Sequence, residues 1–343
     1  AAFDLQSGAV RNWNPDLDGP VLAITSRNDG PSTIYLGGSF ANANVAVDSQ
    51  GRSAICAVDS SGSLTTWNPG SDNRVLALAY HNGKVYAGGA FTNIGGAGSS
   101  PYLEALDADT DTDNADTTDF NPSFSGDGES GVYALRLSDD LTHIFVGGNF
   151  NVVLSQNIAK IDLENGEGSD DWVLSTNDAV KAIEIVGSDV FFGGPFTQVT
   201  DPDPNYIEGL AKATSLGVLD GLYNPSVSYA PLSVFALAGS DAGLFVGGDF
   251  SSLGGKQNLA LLNPSGNVVT SFNALQESGE NVFALAFADN VLLTGGAMTG
   301  LIEGRVCVKE DSWDKLVSDG FGSADRIGVT AFAVYQGELF AAV

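Results

Sequence analysis

The densest chemical signal in the chain is the stretch LDADTDTDNADTTDF, residues 106–120. Asp107, Asp109, Asp111 and Asp113 alternate along it, and Asp116 and Asp119 follow. Alternating carboxylates in a loop suit Ca²⁺, which takes six to eight oxygen ligands at flexible angles. The stretch is not an EF-hand. Counted from Asp107 or Asp109, it has neither the glycine at the sixth place nor the glutamate at the twelfth. The expectation is a Ca²⁺ site built on Asp107, Asp109, Asp111, Asp113 and Asp116. The plain alternative is solvated charge that salt screens. A weaker candidate of the same kind is NPDLDGP, residues 14–20.

Other side chains suit ligand contact. Asp201, Asp203, Tyr206 and Tyr229 fall in long loop segments, where carboxylates and exposed aromatics can hold sugars or peptides. Catalytic chemistry has little to work with. The two histidines, His81 and His143, accompany no Gly-x-Ser-x-Gly nucleophile motif. Two cysteines and two histidines make an ordinary zinc site unsuitable. Paired carboxylates could act as acid and base in a central channel, but among 42 acidic residues no pair stands out. No catalytic residue is assigned.

Composition narrows the classes. The chain has 343 residues, 42 acidic and 14 basic, for a net charge of −28. The acids are 31 Asp and 11 Glu, and Asp favours loops, where its short side chain bonds nearby amides. Such a surface repels nucleic acid and anionic membranes, and attracts divalent cations, cationic partners or a high-salt medium. At 43% hydrophobic residues the chain can bury a core. No apolar run approaches the ~20 residues of a membrane-spanning helix. The three Asn-x-Ser triplets all carry Pro in the middle, so no glycosylation acceptor is present, which leans toward a bacterial source.

The elements that must position these residues repeat. Gly-Gly pairs stand at 37–38, 88–89, 147–148, 193–194, 247–248 and 295–296, spaced by 46 to 59 residues. That is the period of a four-stranded propeller blade. Each unit opens with an apolar strand such as VLAI (21–24), VLAL (75–78) or VFAL (234–237). A second strand ends in Gly-Gly-x-Phe, a third ends near Leu-Asp, and a fourth carries an aromatic before Asn-Pro. The glycines are expected to take positive φ and to leave room for the neighbouring blade. Phe40, Phe91, Phe150, Phe196 and Phe250 are expected to fill the gap between blades. The chain ends on a second strand, ELFAAV, and begins with a third and fourth, so the termini are expected to share one blade. The predicted fold is all-β: a single domain over 1–343, a seven-bladed propeller of four-stranded blades. The blades run over 21–69, 75–122, 132–175, 180–225, 234–273, 282–321, and 329–343 with 3–15. Loops joining strands two and three share a face with the blade-to-blade connections. Cys56 and Cys307, at matching third-strand places, are expected to be buried free thiols.

The unit V-x-A-L, V-Y-x-G-G-x-F, L-x-x-L-D-x-x-x-G, W-N-P resembles the delta-60 repeat, a group of mostly bacterial, mostly extracellular β-propeller repeats. Its Gly-Gly ending and downstream Trp are also similar to Kelch repeats. The chain departs from the pattern at 172–174, WVL for Trp-Asn-Pro, and at 212–216, KATSL for the Leu-Asp turn. The resemblance covers nearly the whole chain and implies a fold and a location, with no catalytic residues. The expected function is a non-enzymatic, calcium-stabilised module, secreted or on the cell surface, within a larger adhesin or envelope protein. It would bind a protein or a glycan through its loop face. The alternative is a carbohydrate-active hydrolase or lyase working at the channel mouth. An intracellular Kelch-like adaptor fits the repeat but suits the charge poorly.

Overall fold

Short β-branched and aromatic runs cut by Gly, Asn and Asp give strands of two to ten residues and, among the described residues, no helix. The structure is a computed structural model. It describes residues 2–4, 11–43, 50–96, 101–109, 120–223, 225, 233–272, 281–288, 291–297, 307–309, 313–315, 329–335 and 338–342. The chain divides into two compact units. One comprises Ala1–Val153, Lys160–Ser169 and Ala331–Val343; the other Leu154–Ala159 and Asp170–Thr330.

Most of the Gly-Gly repeats become small antiparallel sheets. In the first unit, Val21–Ser26, Thr33–Gly38 and Ile55–Asp59 form one, and Val75–His81, Lys84–Gly89 and Leu103–Asp107 the next. Gly131–Leu137 pairs with His143–Val152. The two ends of the chain share a sheet: Ala2–Asp4 lies on Glu338–Ala342, which lies on Ala331–Tyr335, with Ala2 opposite Phe340. The first strands of these sheets run side by side. In the second unit the sheets are Ala182–Val186 with Asp189–Gly193 and Leu210–Thr214, and Ser233–Ser240 with Gly243–Asp249 and Leu259–Leu262. The last is Asn281–Ala288 with Val291–Ala297, Cys307–Lys309 and Trp313–Lys315.

That last sheet has four regular strands among the described residues. Elsewhere the expected fourth strand shrinks to a single bridge, as at Leu64 to Val58, Leu219 to Ala213 and Val268 to Leu262. The reason is local. The aromatic after the bridge turns into the core, and in the first and fourth repeats the following Asn-Pro removes the next ladder donor. Trp13, Trp67, Phe120, Trp172, Tyr223 and Phe272 are all buried. Trp13 Nε1 donates to the Asp59 carbonyl at 3.4 Å and Trp67 Nε1 to the Asp107 carbonyl at 2.8 Å, each reaching the turn of the neighbouring sheet.

The glycine pairs work by space and not by φ, which corrects the expectation. A Cβ on Gly37 would lie 2.6 Å from Val75 Cγ1, on Gly88 2.4 Å from Val132 Cγ1, and on Gly247 2.6 Å from Val282 Cγ1. Each valine stands first or second in the first strand of the following sheet. The second glycine of each pair faces backbone: Gly89 the Arg74 carbonyl, Gly248 the Ser233 carbonyl, both within 2.2 Å of a built Cβ. The opposing first strand bulges there, with register shifts at Val21/Ala23, Val75/Ala77, Val132/Ala134, Val234/Ala236 and Val282/Ala284. Positive φ falls instead on the residue just before the third strand, Ala54 (61°), Tyr102 (73°), Gly209 (71°) and Asn258 (56°), and on Asn157 (67°) within it. In four repeats that residue is gripped from both sides. Gly38, Gly89, Gly194 and Gly248 donate to its carbonyl, and its own N–H donates to the carbonyl of Phe40, Phe91, Phe196 or Phe250. The five phenylalanines of the motif are buried, as is the free thiol Cys56, which burial pushes up to about 12.

Candidate functional site

Two faces can be built from these turns. On the Gly-Gly side, in three repeats, the residue three places before Val21, Val75 or Val180 braces the loop that follows Gly-Gly-x-Phe. Asp18 Oδ1 accepts from the Ala41 and Asn42 amides at 2.8 and 2.9 Å, and its Oδ2 from Asn42 Nδ2 at 2.7 Å. Asp72 accepts from the Thr92 amide at 2.9 Å and its hydroxyl at 2.6 Å. Asn177 accepts from the Thr197 and Gln198 amides, both at 2.9 Å. The bonds from Asn42 and the loop amides hold Asp18 below the usual carboxylate range. Asp72 is also lowered: burial pushes against ionisation there, and the bonds from Thr92 outweigh it. The brace reads in the sequence as Asp or Asn before x-x-Val, a signal that sequence reasoning passed over.

Between two of these braces, in the first unit, lies an open groove of about 420 Å³. Asp18, Ser39, Ser53, Ser71, Asn73 and Arg74 give it a polar rim over a floor of Phe40 and Ala54. The Ser71 amide donates to the Ser53 carbonyl, and the Ser71 hydroxyl to the Asn73 carbonyl at 2.8 Å. Arg74 is exposed. The groove can hold a polar, extended ligand by hydrogen bonds. It brings together none of the contact residues expected from sequence.

Those residues sit elsewhere. Gln198–Asp201 and Asp203–Tyr206 form a hairpin in the second unit, with Asp201 opposite Asp203. Asp201 is half-buried, and its Oδ2 accepts from the Leu219 amide at 3.2 Å. Asp203 is exposed at the turn. Tyr206 is 71% exposed and donates to the Glu208 carboxylate, which raises the Tyr206 hydroxyl above the usual phenol range. Tyr229 lies outside the described residues. The hairpin therefore gathers Asp201, Asp203 and Tyr206, with Asp201 serving as a brace.

The opposite face carries the aspartate-rich stretch. Arg27, in the turn between the first two strands of one sheet, takes Asp109 of the next sheet by Nη1, with Nη2 to Asp109 Oδ2 at 3.3 Å. Arg27 Nε also bonds Asp29 at 3.0 Å, and its guanidinium lies 5.8 Å from the Tyr80 ring centroid. The bond from Arg27 pulls Asp109 below its ordinary value. Asp107 Oδ1 accepts from the Asp109 amide at 2.7 Å. The expected ligand Asp109 is thus an ion-pair partner, and Arg27 already stands where a cation was expected. Asp111, Asp113 and Asp116 lie outside the described residues, and among the described residues no group of three potential ligands converges.

No family model matches the chain, and no curated protein matches it. Solved structures do. The extracellular domain of a one-component system from B. thetaiotaomicron matches with a TM-score of 0.58 at 13% identity, over 96% of this chain and 38% of that one. The computationally designed protein Ika8 matches with a TM-score of 0.51 at 14% identity, over 95% of both chains. The chain spans about 38% of the length of the first of these. At such identities the likeness is one of fold.

Proposed function

We propose that this chain is a non-catalytic binding module, extracellular or at the cell surface, that takes a protein or glycan on its Gly-Gly loop face. The reading includes a single seven-bladed propeller of the delta-60 kind, in which each Gly-Gly sheet is one blade. The observation that carries it is the groove beside Arg74: open, polar-rimmed and set on loops that Asp18 and Asp72 hold rigid. Loops fixed on a rigid scaffold are where binding usually resides. The fold neighbour that is an extracellular domain supports the location, and no helix among the described residues is long and apolar enough to cross a membrane.

The proposal extends to Ca²⁺ on the stretch 107–116, drawing on Asp107, Asp111, Asp113 and Asp116 and competing with Arg27 for Asp109.

A glycan array and a peptide array, probed with the full chain and with Arg74→Ser, test the groove. Binding that falls about tenfold in the variant supports it, since a charged hydrogen bond is worth about 1.5–3 kcal/mol. Binding indifferent to Arg74, or cleavage of a bound glycan, overturns it. Coincident melting curves in EDTA and in millimolar Ca²⁺ would remove calcium from the reading.

A further inference from the structure

The second unit exposes more large apolar side chains than its charge leads one to expect. Leu222 is 96% exposed, Leu216 67%, Val218 62% and Val173 46%. They belong to one surface. A Cβ on Gly217 would lie 2.4 Å from the Asp171 carbonyl and 3.1 Å from Trp172 Cα, so Leu216 and Val218 flank the segment that carries Val173. The Leu219 amide bonds Asp201, and Gly221 lies against Asn205, so the same surface runs on to the hairpin and Tyr206. A single exposed leucine needs no explanation, but a contiguous set rimmed by polar groups marks an interaction surface.

The rim selects the occupant. Asp170, Asp171, Asp203, Glu208 and Asp220 border the apolar residues. Lys212 is a basic group nearby, and it is taken by Asp220 at 2.9 Å and Asp189 at 3.5 Å. A second copy of the chain would bring like charge against like, and an anionic membrane is repelled for the same reason. Addition of a β-strand to the hairpin edge is also disfavoured. Asp203–Tyr206 is short and carries Pro204, which lacks a donor, a recognised way of blunting an edge. What remains is side-chain docking.

We infer that the surface formed by Val173, Leu216, Val218, Leu222 and Tyr206 docks a polypeptide segment whose apolar side chains are flanked by lysine or arginine. The inference is independent of the groove at Arg74 and concerns a different ligand.

A random short-peptide display library, panned on the full chain and read out against Leu216→Ser/Leu222→Ser, tests this. Both substituted side chains are exposed, so the variant keeps its core, and an unchanged melting temperature checks it. Recovered peptides should combine apolar with basic residues. They should bind the double variant at least about tenfold more weakly, as expected when exposed anchors are lost. They should also weaken between about 50 mM and about 500 mM salt, as screening predicts. Arg74→Ser should leave them unaffected, which separates this surface from the groove. Recovery of no peptide, of peptides lacking basic residues, or of peptides that bind the double variant equally would overturn the inference. Self-association of the native chain that the double variant abolishes would assign the surface to a second copy instead, and would overturn it too.

Discussion

Replacing Gly88 by alanine puts the packing argument to a numerical test. Its added Cβ would sit 2.4 Å from Val132 Cγ1, 3.0 Å from Val132 Cβ and 3.4 Å from Leu135 Cδ1. Val132 is fully buried, so it cannot swing into solvent. Gly88 is not in the left-handed region, so alanine brings no backbone strain there. The substitution restricts the unfolded chain, worth about 0.4–1 kcal/mol in its favour. Overpacking costs about 1–3 kcal/mol, so the net loss should be up to about 2.5 kcal/mol. Val132→Ala alone removes two methyl groups and opens a cavity, for about 1.5–3 kcal/mol. In the double variant the alanine methyl at 88 enters the space that the valine vacates. The pair should then cost less than the two singles added, by about 1 kcal/mol or more. Urea titrations of the four proteins, compared at fixed m-value, read this directly. Additivity within about 0.5 kcal/mol would refute the claim that the first glycine exists to admit the neighbouring valine. Gly89→Ala supplies the contrast, because its Cβ meets the Arg74 carbonyl at 2.2 Å. Backbone cannot be trimmed, so Val132→Ala should give it no relief.

Further outcomes follow from the turns. Ala54→Gly should stabilise by about 0.5–1 kcal/mol in the same titration, because the left-handed φ of 61° costs alanine more than glycine loses in entropy. Asp72→Ala strips the acceptor from the Thr92 amide and hydroxyl and should cost about 1–2 kcal/mol by thermal melting. Asp72→Asn should recover most of that, since Asn177 already does the same work. The lowered aspartates fix the sign of the acid limb. A carboxylate depressed on folding stabilises the protein above its unfolded value of about 4 and loses that contribution as pH falls through the folded value. For Asp140 that value is about 2, through bonds from Ser138 and Thr142. In salt that screens the net charge, stability should therefore decline from about pH 4 to about pH 2, and a flat profile there would contradict the assignment.

What could be read from the sequence was whatever depends on one residue type at a fixed spacing. The glycine pairs and the buried phenylalanines each have one side chain that fits, and the fourth-segment aromatics one class of side chain, so their positions survive in the letters. The origin of the glycines was misread because two causes leave the same letter. Glycine is chosen for positive φ and also for missing volume, and only the neighbour's distance separates them. The left-handed position was harder still. Ala54, Tyr102, Asn157, Gly209 and Asn258 share a conformation and no chemistry, because two backbone bonds in most of these turns hold the residue whatever its side chain. At KATSL the third strand keeps an unbroken register from Leu210 to Thr214, and Thr214 Oγ1 accepts from the Val218 amide where other repeats use Asp or Asn. The departure in letters is thus no departure in structure.

The candidate site was less legible for a related reason, which bears on how the acidity of this chain should be understood. A carboxylate that binds a ligand and one that ties a loop look identical in sequence. Here the second use is well attested: Asp18 and Asp72 brace the Gly-Gly loops, while Asp59, Asp140, Asp162 and Asp220 accept from amides two to four residues on. Asp109, in the most conspicuous acidic run, is spent on Arg27. A loop-rich all-β chain has many turn amides with no ladder partner, and aspartate is the shortest acceptor that can reach them without leaving its own turn. Part of the −28 net charge is then a by-product of closing turns. Side chains that close no turn are better pointers to function, and on that ground those of Arg74 in the groove and the exposed Leu216, Val218 and Leu222 outrank the aspartates.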